Sequence, residues 1–191
     1  MDVKTKVAWL QDTLGKRIIM LDGGQGTMIQ KHALQEDDYR GERFADRCKY
    51  PQDLRNNNDV LVLTRPDIIR DMCEQYLAAG SDIISTCSFS ATSIGQNEFF
   101  HPGAAEQKHD QEYYEAVLAN AELAALVREM NLAACTIARG AADAAAAADG
   151  RPRLVAGSIG PMAVTASLSP EVSDPGYRAI NFDQLRRAYR D

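Results

Sequence analysis

Apolar residues along this chain fall into two kinds of run: short unbroken ones that end in small or polar residues, and longer ones at helical spacing. IIML, residues 18 to 21, is bounded by Gly23 and Gly24 and is too short for a helix, so it reads as a first buried strand. SDIISTCSF (81–89) and RLVAGSIGP (153–161) repeat the pattern, apolar at the start and small at the end, and read as strands two and three. Between the first two strands, Ile68, Ile69, Met72, Cys73, Tyr76 and Leu77 recur at helical spacing. Thr64 is placed to cap that helix, Pro66 suits its first turn, Asp67 favours its positive end, and Gly80 stops it. Between the second and third strands, Asp110 to Asp149 forms a long helical stretch with Tyr113, Val117, Ala121 and Ala124 on one face, and Gly140 stands where it would divide. NFDQLRRAYRD begins a last helix with Asn181 as its cap.

The alternation of strand and helix predicts an α/β architecture with parallel strands, since a whole helix lies between successive strands. In such folds ligands bind at the C-terminal edge of the strands, and every apolar run here ends there in Gly, Ser, Thr, Cys or Asp. Gln30 to Asp59 stands apart: it contains DDYRGERF and NNND, shows no sustained period, and is expected to be a long excursion.

Composition changes this picture little. The chain has 191 residues, 45% hydrophobic and 25% charged, ordinary for one globular domain. A net charge of −6 gives no electrostatic case for nucleic acid, which needs a basic face. The N-terminus lacks a signal peptide's apolar core and no segment approaches a membrane helix, so a cytoplasmic protein is expected, without a membrane partner. Cys48, Cys73, Cys87 and Cys135 are far apart and have no C-x-x-C pairing, which fits reduced thiols and neither a disulfide framework nor a zinc spacing.

The candidate chemistry lies in LDGGQGT, residues 21 to 27. A dinucleotide fingerprint fails because Gly24, Gly26 and Ile29 occupy its three glycine positions, and no Lys-Ser/Thr follows to make a P-loop. A fixed carboxylate at Asp22 would also repel phosphate. Two readings remain open at the level of residues. Asp22 accepts from a substrate ammonium while Gly23 and Gly24 admit the substrate close to the backbone. Alternatively, Asp22 caps the next turn and the glycines only supply positive φ. At the end of strand two, Thr86, Cys87 and Ser88 are placed at the same mouth, equally suited to capping the next helix. The tract HPGAAEQKHD (101–110) reads as a solvated loop and the alanine run 141–148 as plain helix.

Taken in order, MLDGGQGTMIQ, DYRGERF, NNNDVLVLTRPDII, YLAAGSDIISTCSFSATSIGQ and VAGSIGP with TASLSPEVSDPGYRAINFDQL resemble the start of the homocysteine-binding module of cobalamin-dependent methionine synthases, in the homocysteine S-methyltransferase family. The resemblance runs from about residue 10 to the end. It implies a (β/α)8 TIM barrel, of which residues 1–191 would be a partial domain holding the first three β/α units. It implies methyl transfer to homocysteine to give methionine, with zinc and methylcobalamin as cofactors. The remaining barrel strands and the folate- and cobalamin-binding modules of the full enzyme are its implied partners. Carried over by motif, Asp22, Gly23 and Gly24 resemble the substrate's amino-acid contacts, Thr86 and Phe89 its wall, and Gly157 to Gly160 the rim after strand three.

Several positions depart from the family. Ser85 and Cys87 replace a carboxylate and an amide of Glu-Thr-Asn-Thr-Phe, and Met162 and Ala163 replace two hydrogen-bonding residues after Gly-Pro. Asn97 to Glu129 reads as expanded. The family's zinc thiolates lie on later strands, so neither a catalytic residue nor a metal or cobalamin ligand is assigned in this chain. The isolated chain is therefore expected to be metal-free and inactive, with a non-catalytic remnant or assembling fragment as the alternative function. Open sheet edges would favour self-association.

Overall fold

The computed structural model describes residues 2–101 and 109–190. Nine α-helices and two strands follow one another among them: α1 (Val3–Leu14), α2 (Gln25–Gln30), α3 (Glu36–Arg40), α4 (Leu61–Thr64), α5 (Pro66–Ala78), β1 (Ile83–Ser85), α6 (Ser93–Phe100), α7 (Gln111–Ala119), α8 (Ala121–Asp149), β2 (Leu154–Ala156) and α9 (Phe182–Ala188).

The sheet is parallel, as the alternation predicts, but shorter. β1 pairs with β2 in the register Ile83 to Leu154, Ile84 to Val155 and Ser85 to Ala156. The first apolar run contributes a single parallel bridge, Leu21 to Ile83, instead of a strand. Met20 O accepts from the N–H groups of Asp82 and Ile83, and Asp22 N–H donates to Ile83 O at 2.9 Å. That run is paired on one edge only, and its side chains are exposed: Ile18 80%, Met20 55%, Leu21 57%. The spatial order is therefore run one, β1, β2, with β1 central and Ile84 fully buried.

Ile84 explains where the helices sit. It packs with Cys73 and Leu77 of α5 and Ala138, Ala141 and Ala142 of α8, so both crossover helices cover one face of the sheet. α8 runs unbroken through Gly140, contrary to the expected division. A helical glycine costs about 1 kcal/mol relative to alanine, and burial of Ile137, Ala138, Ala141 and Ala142 on either side of it outweighs that. The division falls instead at Asn120, whose side chain accepts from Leu123 N–H and caps α8. Gly150 then ends the helix in the left-handed region at φ 72°.

Thr64 does not cap α5. Arg65 holds the cap position without a side-chain bond, and Thr64 closes α4 with its hydroxyl donating to Val60 O. Asn181 does cap α9, in a reciprocal box with Gln184. The long excursion has an organiser. Arg40, only 2% exposed, donates to the carboxylate of Glu36 and to the carbonyls of Phe44, Tyr50 and Gln52. One buried guanidinium thus folds residues 36 to 52 back on themselves.

Candidate functional site

The C-terminal ends of the three parallel segments open onto one cleft of about 450 Å³. Gly23 and Gly24 come from the end of run one, Gln25 and Gly26 from the first turn of α2, Ser85, Cys87 and Phe89 from the end of β1 and just beyond it, and Ser158 from just beyond β2. Asn58 and Asp59 enter from the excursion and complete the wall. A volume of this size suits a small ligand.

Asp22 precedes Gly23 of the lining and is not itself among the lining residues. Its carboxylate accepts from Ser85 N–H at 2.7 Å and from Ser85 Oγ at 2.9 Å. It therefore does not cap α2, whose first residue follows Gly24 with no side-chain cap. Neither Gly23 nor Gly24 has positive φ, so the alternative reading of the glycines is corrected on both counts. Their smallness serves close approach instead. A Cβ on Gly23 would lie 3.1 Å from the Tyr76 hydroxyl, which donates to Gly24 O. An ionised carboxylate offers about four acceptor sites, and Ser85 occupies two of them.

Of the other positions singled out in the sequence, Phe89 lines the cleft and is 54% exposed, while Thr86 lies buried behind the wall. Thr86 Oγ1 shares a hydrogen bond with Ser88 Oγ and accepts from Ser158 N–H, and Ser88 Oγ donates to Ser158 O. These hydroxyls lock the ends of β1 and β2 together. Gly160 N–H donates to Phe89 O at 2.9 Å, and the Phe89 ring rests where a Gly160 side chain would be. Met162 turns away to pack with the α6, α7 and α9 cluster, and Ala163 lines a different cavity beside Tyr114.

Sequence reasoning missed Asp59. It is 5% exposed and accepts from Ser90 N–H at 2.8 Å, and burial pushes its carboxyl above the usual range despite that bond. Gln96 bridges it to Asn57, whose amide donates to Gln96 Oε1 at 2.7 Å. The available signal was four consecutive polar residues, NNND, directly before an apolar run.

The donors do not fit a zinc site. Among the described residues no group of three or more His, Cys, Asp or Glu side chains is arranged to hold a metal. Cys87, a thiol in the cleft wall, is buried and donates to Asn58 O, and burial pushes its thiol well up, opposing the thiolate that zinc requires. His109 stacks on Tyr113 at 4.4 Å away from the cleft, while 102–108 of the histidine tract lie outside the described residues. No helix among the described residues is long and apolar enough to cross a membrane.

The family model for homocysteine S-methyltransferase matches residues 19–191. Among solved structures, the homocysteine methyltransferase MmuM from Escherichia coli is similar in its metallated form, at 22% identity and TM-score 0.50, over 80% of this chain and 41% of that one. Its oxidised form matches at 22% identity and TM-score 0.51, over 80% of this chain and 40% of that one. The likeness is one of fold, and this chain spans about two fifths of the length of those proteins.

Proposed function

Since the chain belongs to the homocysteine S-methyltransferase family, we propose that it forms the amino-acid end of a homocysteine site, within the first three β/α units of a (β/α)8 barrel. The full activity is methyl transfer to homocysteine in a cytoplasmic, cobalamin-dependent methionine synthase. The observation that carries this reading is the convergence of run one, β1 and β2 on a cleft whose lining begins at Gly23, the residue after Asp22. Two acceptor sites of the Asp22 carboxylate remain beyond those used by Ser85. An ammonium seated there would gain a charge-assisted hydrogen bond. Ser85, standing where the family has a carboxylate, leaves Asp22 as the carboxylate next to this lining, with Asp59 engaged in the wall. The exposed side of Phe89 supplies apolar surface for the substrate's methylenes.

A second reading is favoured by the poor fit of the donors to zinc: the chain alone is a non-catalytic fragment that assembles with the rest of a barrel. Equilibrating the chain with zinc and homocysteine, then adding methylcobalamin, separates the two. Stoichiometric zinc with methionine formation supports a self-sufficient enzyme. Homocysteine binding without zinc or turnover supports the fragment, the result expected from the residues present. Methionine formed from a sulfonium donor but not from methylcobalamin would overturn the cobalamin assignment.

A further inference from the structure

The excursion sends a second polar side chain into the cleft wall beside Asp59: the half-buried Asn58. Its side-chain oxygen is taken, because the Tyr39 hydroxyl donates to Asn58 Oδ1 at 3.3 Å. With the oxygen held on that side, Nδ2 turns toward the glycine loop, and a Cβ on Gly26 would lie 4.0 Å from it. Asn58 Nδ2 has no hydrogen-bond partner among the described residues and is not sealed from solvent. It is an open donor on the wall of the cleft.

An amino acid entering this cleft brings a carboxylate as well as an ammonium. Among the described residues no lysine, arginine or histidine lines the cleft, so neutral donors must hold that carboxylate. Most of them are engaged elsewhere. Gln25 Nε2 donates to Ser85 O, Ser85 Oγ to Asp22, and Cys87 Sγ to Asn58 O. Asn58 Nδ2 and Ser158 Oγ are the lining side-chain donors without any partner among the described residues. Of the two, Asn58 faces the loop that directly follows Asp22, the proposed partner of the ammonium, whereas Ser158 enters from beyond β2. Asp59, the next residue, opposes an anion, but its carboxylate is turned into the wall. Its Oδ2 accepts from Ser90 N–H at 2.8 Å and Gln96 Nε2 at 3.5 Å, and burial favours its neutral form.

Resting on the homocysteine reading, we infer that Asn58 Nδ2 receives the α-carboxylate of the substrate and sets the preference of the cleft for an amino acid over an amine. A hydrogen bond from this amide to an ionised oxygen is stronger than one between neutral groups.

Calorimetry on the full chain with homocysteine and with 3-aminopropane-1-thiol, the same molecule without its carboxylate, tests this. The parent is expected to bind homocysteine at least about tenfold more tightly than the aminothiol. Asn58→Asp keeps the shape and an acceptor for Tyr39 but replaces the donor with a negative charge, and should abolish that preference. Asn58→Ala, which removes the amide, should also abolish it and serves if Asn58→Asp does not fold. A preference kept in either folded variant, or lost in Ser158→Ala instead, overturns the inference while homocysteine binding stands. A parent that binds homocysteine no better than the aminothiol overturns it equally. Absence of any homocysteine binding overturns the homocysteine reading and this inference with it.

Discussion

Gly160 and Gly157 stand three residues apart on the same rim and make a matched test of how that rim is built. A Cβ placed on Gly160 would lie 2.5 Å from Phe89 O and 2.6 Å from the Phe89 ring, whereas one on Gly157 meets nothing within 4 Å. The ring can rotate, but the carbonyl cannot retreat without losing its hydrogen bond from Gly160 N–H. Gly160→Ala is therefore overpacked against backbone, a class of change that costs about 1–3 kcal/mol. Taking about 2 kcal/mol, and roughly 2–4 °C per kcal/mol for a domain of this size, the melting temperature should fall by about 4–8 °C. Gly157→Ala should fall within about 0.5 kcal/mol of the parent, as for substitutions that meet no specific feature. Parallel thermal melts by circular dichroism measure both. Equal melting temperatures for the two variants would refute the close approach of Gly160 to Phe89.

Further expectations follow from the buried charges and thiols. Arg17 holds the Asp82 carboxylate in a two-pronged pair at 2.7 Å, keeping its pKa well below the usual range. A depressed carboxyl stabilises the fold above its unfolded pKa, about 3.9, and loses that contribution as pH falls through the folded value. Arg17→Met should thus lower urea stability at pH 7, with the gap closing below pH 4; a gap constant with pH would contradict the pairing. Asp59 has the opposite sign, because burial raises its pKa and the folded state holds the proton more tightly. Asp59→Asn should therefore gain on the parent as pH rises from 4 to 8 in the same urea assay, while a loss that grows with pH would count against burial as the dominant cause. With Cys48 and Cys135 exposed and Cys73 and Cys87 buried, and the Cys73 thiol pushed up to about 11, a thiol reagent should find two fast groups in the native chain and four in urea. Four fast native thiols would place Cys73 and Cys87 at the surface.

Features set by local chemistry were legible in the sequence. The Asn181 cap, the helix from Pro66 and the polar, small ends of the apolar runs depend on neighbours within a turn or two. The strand lengths were not, because a strand extends only where a partner continues the ladder. Past Ser85, side-chain bonds such as Thr86 Oγ1 to Ser158 take over from regular pairing, and run one has a partner on one edge alone. Gly140 misled because the burial that carries α8 through it comes from α5 and β1, distant in sequence. The excursion was illegible for the same reason: Arg40 organises it through carbonyls up to twelve residues away, which leaves no periodicity. Gly23 and Gly24, singled out in the sequence, line the cleft next to Asp22, whereas their neighbourhood was not legible. Ser85, noted only as a departure from the family, proves to hold the Asp22 carboxylate, and Asp59 enters from an excursion with no strand to announce it.

Calorimetry on the full chain with homocysteine and its deaminated analogue 4-mercaptobutanoate tests the proposed role of Asp22 as the partner of the substrate's amino group. Loss of a charge-assisted hydrogen bond, worth about 1.5–3 kcal/mol, predicts binding of the analogue at least tenfold weaker than homocysteine, with Asp22→Asn erasing the difference between them. Equal affinity for the two ligands, or an undiminished preference for homocysteine in Asp22→Asn, would rule out an ammonium seated on Asp22.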